Sequence, residues 1–259
     1  MSKPLLLFTA PVGTRSGYGA HSRDIARSLI AMDKFDVRIF PVRWGSTPQN
    51  ALNEKDSNDI EIIKRILVEP NMERQPDIHI HLVIPNEFSI MGKYNIGITA
   101  GIESTACPQN WIEGLNRVDL NIVPSNFSKE VFEKCVYDRI DDNTKKVIGH
   151  LKCEKPIEVL FEGADTTIYK KPKQISKELK KEFQQIPETC LFLYVGHWLN
   201  GSIGNDRKDT GMLVKLFLET FKGKNFKKKP ALLMKTNSAD FSVLDREEML
   251  KKIRDIRNA

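Results

Sequence analysis

Three glycines, Gly13, Gly17 and Gly19, stand close together near the start of the chain, between an apolar run and an amphipathic one. Glycines placed between a strand and a helix let the backbone approach a phosphate. The helix N-terminus behind them offers free N–H groups and partial positive charge. The spacing is not that of a dinucleotide fingerprint. Ser22 stands where the third glycine of G-x-G-x-x-G would fall, and Phe40-Pro41-Val42 close the next apolar run where a ribose-binding acid belongs. A P-loop ending in Gly-Lys-Ser or Gly-Lys-Thr is absent too. Nicotinamide and flavin dinucleotides are therefore disfavoured, and the alternative use of these glycines is a tight turn alone.

A second loop carries more chemistry. Gly196-His197-Trp198 follows an apolar run, and Arg207-Lys208-Asp209 precedes an amphipathic one. An arginine and a lysine between a strand and a helix can grip a diphosphate, the first bidentately and the second as a point charge. Two cations at a helix start also oppose its dipole unless an anion compensates them. An exposed loop with ordinary surface charges is the plainer alternative.

The elements that must hold these loops follow from hydrophobic patterning. Short β-rich runs alternate with amphipathic stretches, the pattern of a parallel sheet wrapped in helices. Strands are expected over Leu5–Ala10, Val37–Val42, Asp77–Pro85, Tyr94–Ala100, Leu120–Val123 and Ile157–Phe161. Helices are expected over Ala20–Met32, Asn58–Val68 (capped by Ser57 or Asn58), Pro108–Asn116 and Ser128–Val136. Six strands with crossover helices make one doubly wound domain. His79 and His81 share one side of a pleat inside a buried strand, so they are expected to be core histidines rather than catalytic ones.

Basic, polar composition from Tyr169 to Lys181 marks a linker. A new pattern begins beyond it: a strand at Leu191–Val195, the glycine-bearing loop, a helix at Gly211–Phe221, a strand at Ala231–Lys235 and a charged helix from Arg246. Two strands and two helices cannot cover both faces of a parallel sheet, so a truncated second domain is expected. The expected organisation is thus a first domain at 1–168, a linker at 169–188 and a partial domain at 189–259.

Composition narrows the class. With 259 residues and 40% hydrophobic content, the chain can bury a substantial core. No apolar run is long enough to span a membrane, and the N-terminal Leu5-Leu6-Leu7-Phe8 leads into a glycine loop rather than a cleavage site. A cytoplasmic protein is expected. Cys107, Cys135, Cys153 and Cys190 are scattered without C-x-x-C pairing, which points to reduced structural thiols rather than zinc ligands or disulfides. The net charge of +6 is concentrated in two lysine runs, Lys170–Lys181 and Lys222–Lys229. Such runs suit nucleic acid or anionic lipid, yet they lack interleaved aromatics in a stacking pattern, and a solvated face is the expectation.

The order of motifs carries a resemblance. A strand, Gly196-His197-Trp198, a loop, Arg207-Lys208-Asp209 and an amphipathic helix resemble the donor-domain opening of retaining glycosyltransferases of the GT-B type, family four. Val159-Leu160-Phe161-Glu162-Gly163-Ala164-Asp165 looks like the tract that closes the first domain in that family. Thr99-Ala100-Gly101-Ile102-Glu103-Ser104 followed by Pro108-Gln109-Asn110-Trp111 resembles a subgroup common in phages and other viruses.

The resemblance implies an α/β fold of two Rossmann-like domains, the second incomplete, and transfer of a hexose from a nucleoside-diphosphate sugar to an acceptor hydroxyl with retention. Gly17, Tyr18, Gly19, Gly196, His197, Arg207 and Lys208 would bind the donor. Glu103 would occupy the loop where the family often has a catalytic histidine. No metal and no further cofactor are implied. The partners would be the nucleotide sugar and a glycan, lipid or other hydroxyl acceptor. Peripheral contact with an anionic membrane is a further expectation, and nucleic acid is not expected. The chain departs from the family in His197, where arginine is usual, in Asp209, where glycine is usual, and in lacking the paired-glutamate motif. The rival readings are a non-catalytic truncated remnant and a different anion- or nucleotide-binding Rossmann protein.

Overall fold

Leu5–Ala10 forms the first strand, β1, and all six of its residues are buried. A strand so uniformly apolar belongs in the middle of a parallel sheet. It lies between β2 (Asp36–Pro41) and β3 (Ile78–Leu82), parallel to both. The computed structural model describes residues 3–45, 47–69, 72–141, 143–198, 203–204, 206, 208–236 and 245–258. Within it the chain divides into two units, Met1–Gly163 and Ala164–Ala259.

The first unit is built on a six-stranded parallel sheet in the order β2-β1-β3-β4-β5-β8. Its remaining strands are β4 (Tyr94–Ile98), β5 (Leu120–Val123) and β8 (Ile157–Val159). Helices α1 (Gly17–Ala31), α2 (Ser57–Ile63), α3 (Gln109–Arg117) and α4 (Asn126–Lys134) connect them. The architecture is mixed α/β and Rossmann-like. The chain runs from β1 to β2 on one side and continues through β3, β4, β5 and β8 on the other. The topological switch therefore falls between β1 and β3, and crevices that take ligands open there, outside the strands' carboxyl ends.

Two apolar clusters hold the sheet. Leu6, Phe8, Ile39, Ile80 and Leu82 pack with Ala26 and Leu29 of α1 and with Ile62 of α2. Val83, Ile112, Leu115, Val123 and Phe132 form the other. His79 and His81 lie on β3 and are buried, as expected of core histidines.

Several elements differ from the sequence expectations: α4 is shifted two residues earlier, a helix at Lys177–Phe183 lies inside the expected linker, and three further differences have a visible cause. Helix α1 begins at Gly17 rather than Ala20, because the Ser16 side chain accepts the Gly19 N–H and starts the helix early. Helix α2 is capped by Asp56 and ends at Ile63. The chain then leaves it so that Ile39 N–H can donate to Arg65 and Leu67 N–H to Ile39, which covers the outer edge of β2. The third difference is an antiparallel hairpin of β6 (Val136–Ile140) and β7 (Val147–Lys152), which the polar, charge-rich stretch conceals.

The second unit contains α5 (Lys177–Phe183), β9 (Cys190–Val195), α6 (Thr210–Phe221), β10 (Pro230–Lys235) and α7 (Asp245–Asn258). Strands β9 and β10 pair in parallel. Its core is small: Trp198, Val214 and Met249 are buried, with Leu218, Leu232, Met234, Ile253 and Ile256 packed against them. Along β9, Phe192, Leu193 and Val195 remain exposed.

Candidate functional site

The β1–α1 loop is held by its own side chains. Thr14 Oγ1 donates to the Pro11 carbonyl and lies 2.8 Å from Ser16 Oγ. Arg23, nearly two turns into α1, donates from one guanidinium nitrogen to the carbonyls of Val12 and Thr14, both at 2.9 Å. Burial lowers the Arg23 pKa from its ordinary value, so part of the cation's hydration has been exchanged for these carbonyls. The long loop after β2 closes over the same segment: Arg15 N–H donates to the Pro48 carbonyl and Ala51 N–H to that of Gly13.

The glycines serve different purposes. A Cβ on Gly19 would lie 2.2 Å from the Thr14 carbonyl oxygen, so Gly19 is required by packing, and its N–H is already taken by Ser16. A Cβ on Gly17 would meet nothing within 4 Å. Gly17 is the position in this loop that leaves room for an incoming group.

Tyr18 links this loop to the end of β4. Its hydroxyl lies 3.0 Å from Thr99 Oγ1 and accepts the Ala100 N–H at 3.1 Å. Its ring stacks on Trp44 with centroids 4.0 Å apart. Burial raises the Tyr18 pKa, while the bond to Thr99 acts in the opposite direction, so the phenol is a neutral hydrogen-bonding group at physiological pH. Glu103 is exposed on the loop that follows β4, a few residues beyond Thr99. One turn along α1, His21 Nδ1 lies 3.8 Å from Glu162 in the tract after β8. The carboxyl ends of β1, β4 and β8 thus meet around the first turn of α1. His21 and Glu162 were not singled out as site residues in the sequence. The available signal was the i, i+3 spacing of Tyr18 and His21, which puts both on one face of a helix.

The second unit's loop is assembled differently. Lys208 is exposed, and its stem passes Gly196 closely, with Cδ 3.5 Å from where a glycine Cβ would be. Tyr194 OH donates to the His197 carbonyl at 3.4 Å and lies 2.7 Å from Thr210 Oγ1. Trp198 is buried, with the Lys252 ammonium 5.6 Å from its ring centroid. Gly196, His197 and Lys208 are therefore gathered at the end of β9 and the start of α6. Arg207 lies outside the described residues.

The anion that compensates this helix start belongs to the protein. Asp206 is buried, and its carboxylate accepts the Lys208 N–H at 2.9 Å and the Thr210 N–H at 2.7 Å. The charge pattern that suggested a bound diphosphate is thus answered in part by an acid that the sequence reading passed over. Asp209 adopts φ 49°, ψ 38°, the left-handed region, which explains why a glycine suits this position.

Other candidates fall away on geometry. Cys107 is buried and its thiol is pushed up to about 12, mainly by burial, which removes it as a thiolate nucleophile. Burial likewise lowers His79 to about 4 and His81 to about 3. His79 Nε2 lies 2.9 Å from Thr9 Oγ1, and His81 Nδ1 accepts the Ser89 N–H. Both rings are neutral fixtures of the sheet. Among the described residues, no group of three or more His, Cys, Asp or Glu side chains is placed to hold a metal ion. No described helix is long and apolar enough to cross a membrane.

No family model and no curated protein matches this chain. What it does must be argued from the two helix-start loops themselves.

Proposed function

We propose that this protein is a glycosyltransferase of the GT-B type, transferring a hexose from a nucleoside-diphosphate sugar to an acceptor hydroxyl with retention. The observation that carries the reading is that both units contain the same strand-loop-helix passage. In each, a parallel strand ends in a glycine-bearing loop that feeds a helix N-terminus: β1 through Gly17 to α1, and β9 through Gly196 and Lys208 to α6. The left-handed conformation at Asp209 adds support, because it puts a physical reason behind the glycine usual there in the resembling family.

The departing diphosphate is the group that needs stabilising, and fixed dipoles and cations in a dry cleft do this best. Lys208 would supply positive charge, with Arg207 beside it in sequence. In the first unit, the Gly17–Tyr18 turn would offer its backbone to an anionic group, with Tyr18 fixing that turn against Thr99. Glu103 would orient a reacting hydroxyl. The chemistry asked of these residues is charge stabilisation and positioning, with proton transfer to the leaving group or solvent.

A second reading, a chain that does not turn over donor, is favoured by Asp206. Its carboxylate occupies two N–H groups that a phosphate would otherwise take. Calorimetric titration with nucleoside diphosphates and their hexose conjugates separates the two. A transferase binds at least one of them saturably, and Lys208→Ala weakens that binding at least tenfold with the fold intact. Absence of binding across the series would establish the second reading.

A further inference from the structure

The second unit holds a pocket of about 490 Å³. It runs along α6 from Val214 to its C-terminal end at Phe221 and Lys222, on past the helix start that Lys208 precedes. Its walls are apolar: Phe217, Leu218 and Phe221 of α6, Phe226 beyond it, and Leu232 and Met234 of β10. The aromatic rings pack on one another, with centroids 4.9 Å apart for Phe217 and Phe221 and 5.5 Å for Phe221 and Phe226.

The rim has a different character. Lys222, Lys224, Lys229 and Arg257 line it together with a single carboxylate, Glu188. All four cations are exposed, and none is ion-paired with a described residue. Three of them come from the lysine run that patterning alone assigns to a solvated face. Like charges gathered at the mouth of a low-dielectric hollow raise the local positive potential and draw in an anion.

The lining also says what kind of anion. Among the described residues its only uncharged polar side chain is Asn225, so a sugar or nucleobase would enter with its polar edges unpaired, which is costly. A second copy of the chain would bring its own net charge of +6 against the same cations. We propose that this pocket binds an anionic amphiphile, a single aliphatic chain ending in a carboxylate. The chain lies against Phe217, Phe221 and Met234, and the head group sits among the rim cations.

The test is calorimetric titration of the full chain with laurate, decanoate and octanoate below their self-association concentrations, with dodecyltrimethylammonium as a control of opposite charge. Saturable binding is expected, weakening roughly fourfold for each methylene removed. The exposed double variant Lys222→Glu/Lys229→Glu, with its fold checked by thermal unfolding, should bind laurate at least about tenfold more weakly. Equal affinity for the cationic amphiphile, or no effect of the charge reversal, would overturn the proposal. Binding to phosphatidylglycerol vesicles without saturable uptake of monomeric laurate would make the patch a membrane contact and overturn it as well. So would a dimer, seen by sedimentation, that laurate does not dissociate.

Discussion

The Tyr18 hydroxyl lies 3.0 Å from Oγ1 of Thr99, a residue 81 positions further along the chain. The same oxygen accepts the Ala100 N–H. One side chain from the first turn of α1 therefore pins the start of the loop that carries Glu103. Removing that oxygen takes one hydrogen-bond partner from the Ala100 N–H and one from the Thr99 hydroxyl, which keeps the Gly101 N–H. Tyr18→Phe should cost about 1–2 kcal/mol in urea denaturation. It should also weaken nucleotide-sugar binding by more than the stability loss accounts for, since it frees the loop. A variant with wild-type stability would mean that water replaces the phenol without penalty.

Gly17 and Gly19 are close in sequence yet should respond in opposite ways. At Gly19 an added methyl group collides with the Thr14 carbonyl and hydroxyl oxygens, so Gly19→Ala should destabilise the first unit by about 1–3 kcal/mol. At Gly17 the methyl group meets open space, and Gly17→Ala should stabilise α1 by up to about 1 kcal/mol. If a phosphate approaches that turn, the same substitution lowers donor affinity. Increased stability with unchanged donor binding would remove Gly17 from the site.

Asp206 and Asp209 make a second contrasting pair at the start of α6. Asp206→Ala strips two N–H groups of their acceptor and should cost about 1–2 kcal/mol. Added inorganic phosphate should restore part of that loss in the variant while leaving the parent protein little changed. Asp209 makes no side-chain cap bond and stands in the left-handed region, so Asp209→Gly should stabilise the unit by about 0.5–1 kcal/mol. Thermal unfolding with and without phosphate checks both. A stabilised Asp206 variant, or a destabilised Asp209 variant, would contradict this account of the loop.

Stability should fall on mild acidification. Burial holds His79 at about 4 and His81 at about 3, below the 6.5 of an unperturbed imidazole. Between about pH 6.5 and pH 3 the unfolded chain takes up protons that the folded chain refuses, His79 giving way at about 4 and His81 at about 3. Stability is thus complete above about 6.5 and declines through this window, by a few kcal/mol in all. Denaturant titrations at several pH values should show the slope, and His79→Gln/His81→Gln should flatten it. An unchanged slope in the double variant would assign the acid sensitivity to other groups.

The sheet was legible in the sequence because its strands are short apolar runs separated by helical periodicity. Five of the six strands in the parallel sheet, Leu5–Ala10 and Ile157–Val159 included, lie within runs read that way, and β2 starts one residue earlier, at Asp36. The hairpin at Val136–Lys152 was not legible, since its outward side chains and the charged turn give neither period strongly. The early end of α2 depends on Ile66 pairing with Ile39, a contact between segments that no local pattern announces. At the candidate site, glycine and lysine positions could be read directly. What could not be read was which polar groups are already spent: Ser16 on Gly19, Arg23 on two carbonyls, Asp206 on α6. Those pairings decide how much of each loop is left for a ligand.

The central place of β1 has a consequence for synthesis. The strand ends at residue 10, but its second neighbour, β3, is complete only at residue 82. At ordinary elongation rates those intervening 72 residues take roughly 4–14 seconds to appear. For that interval the uncharged hexapeptide Leu5–Ala10 has one edge open, a condition that invites pairing between nascent chains on neighbouring ribosomes. Chains arrested before β3 emerges should be cleaved readily within this segment, and chains arrested well after it should resist. β1 waits through that interval for its second neighbour, and the cell must shield it in the meantime.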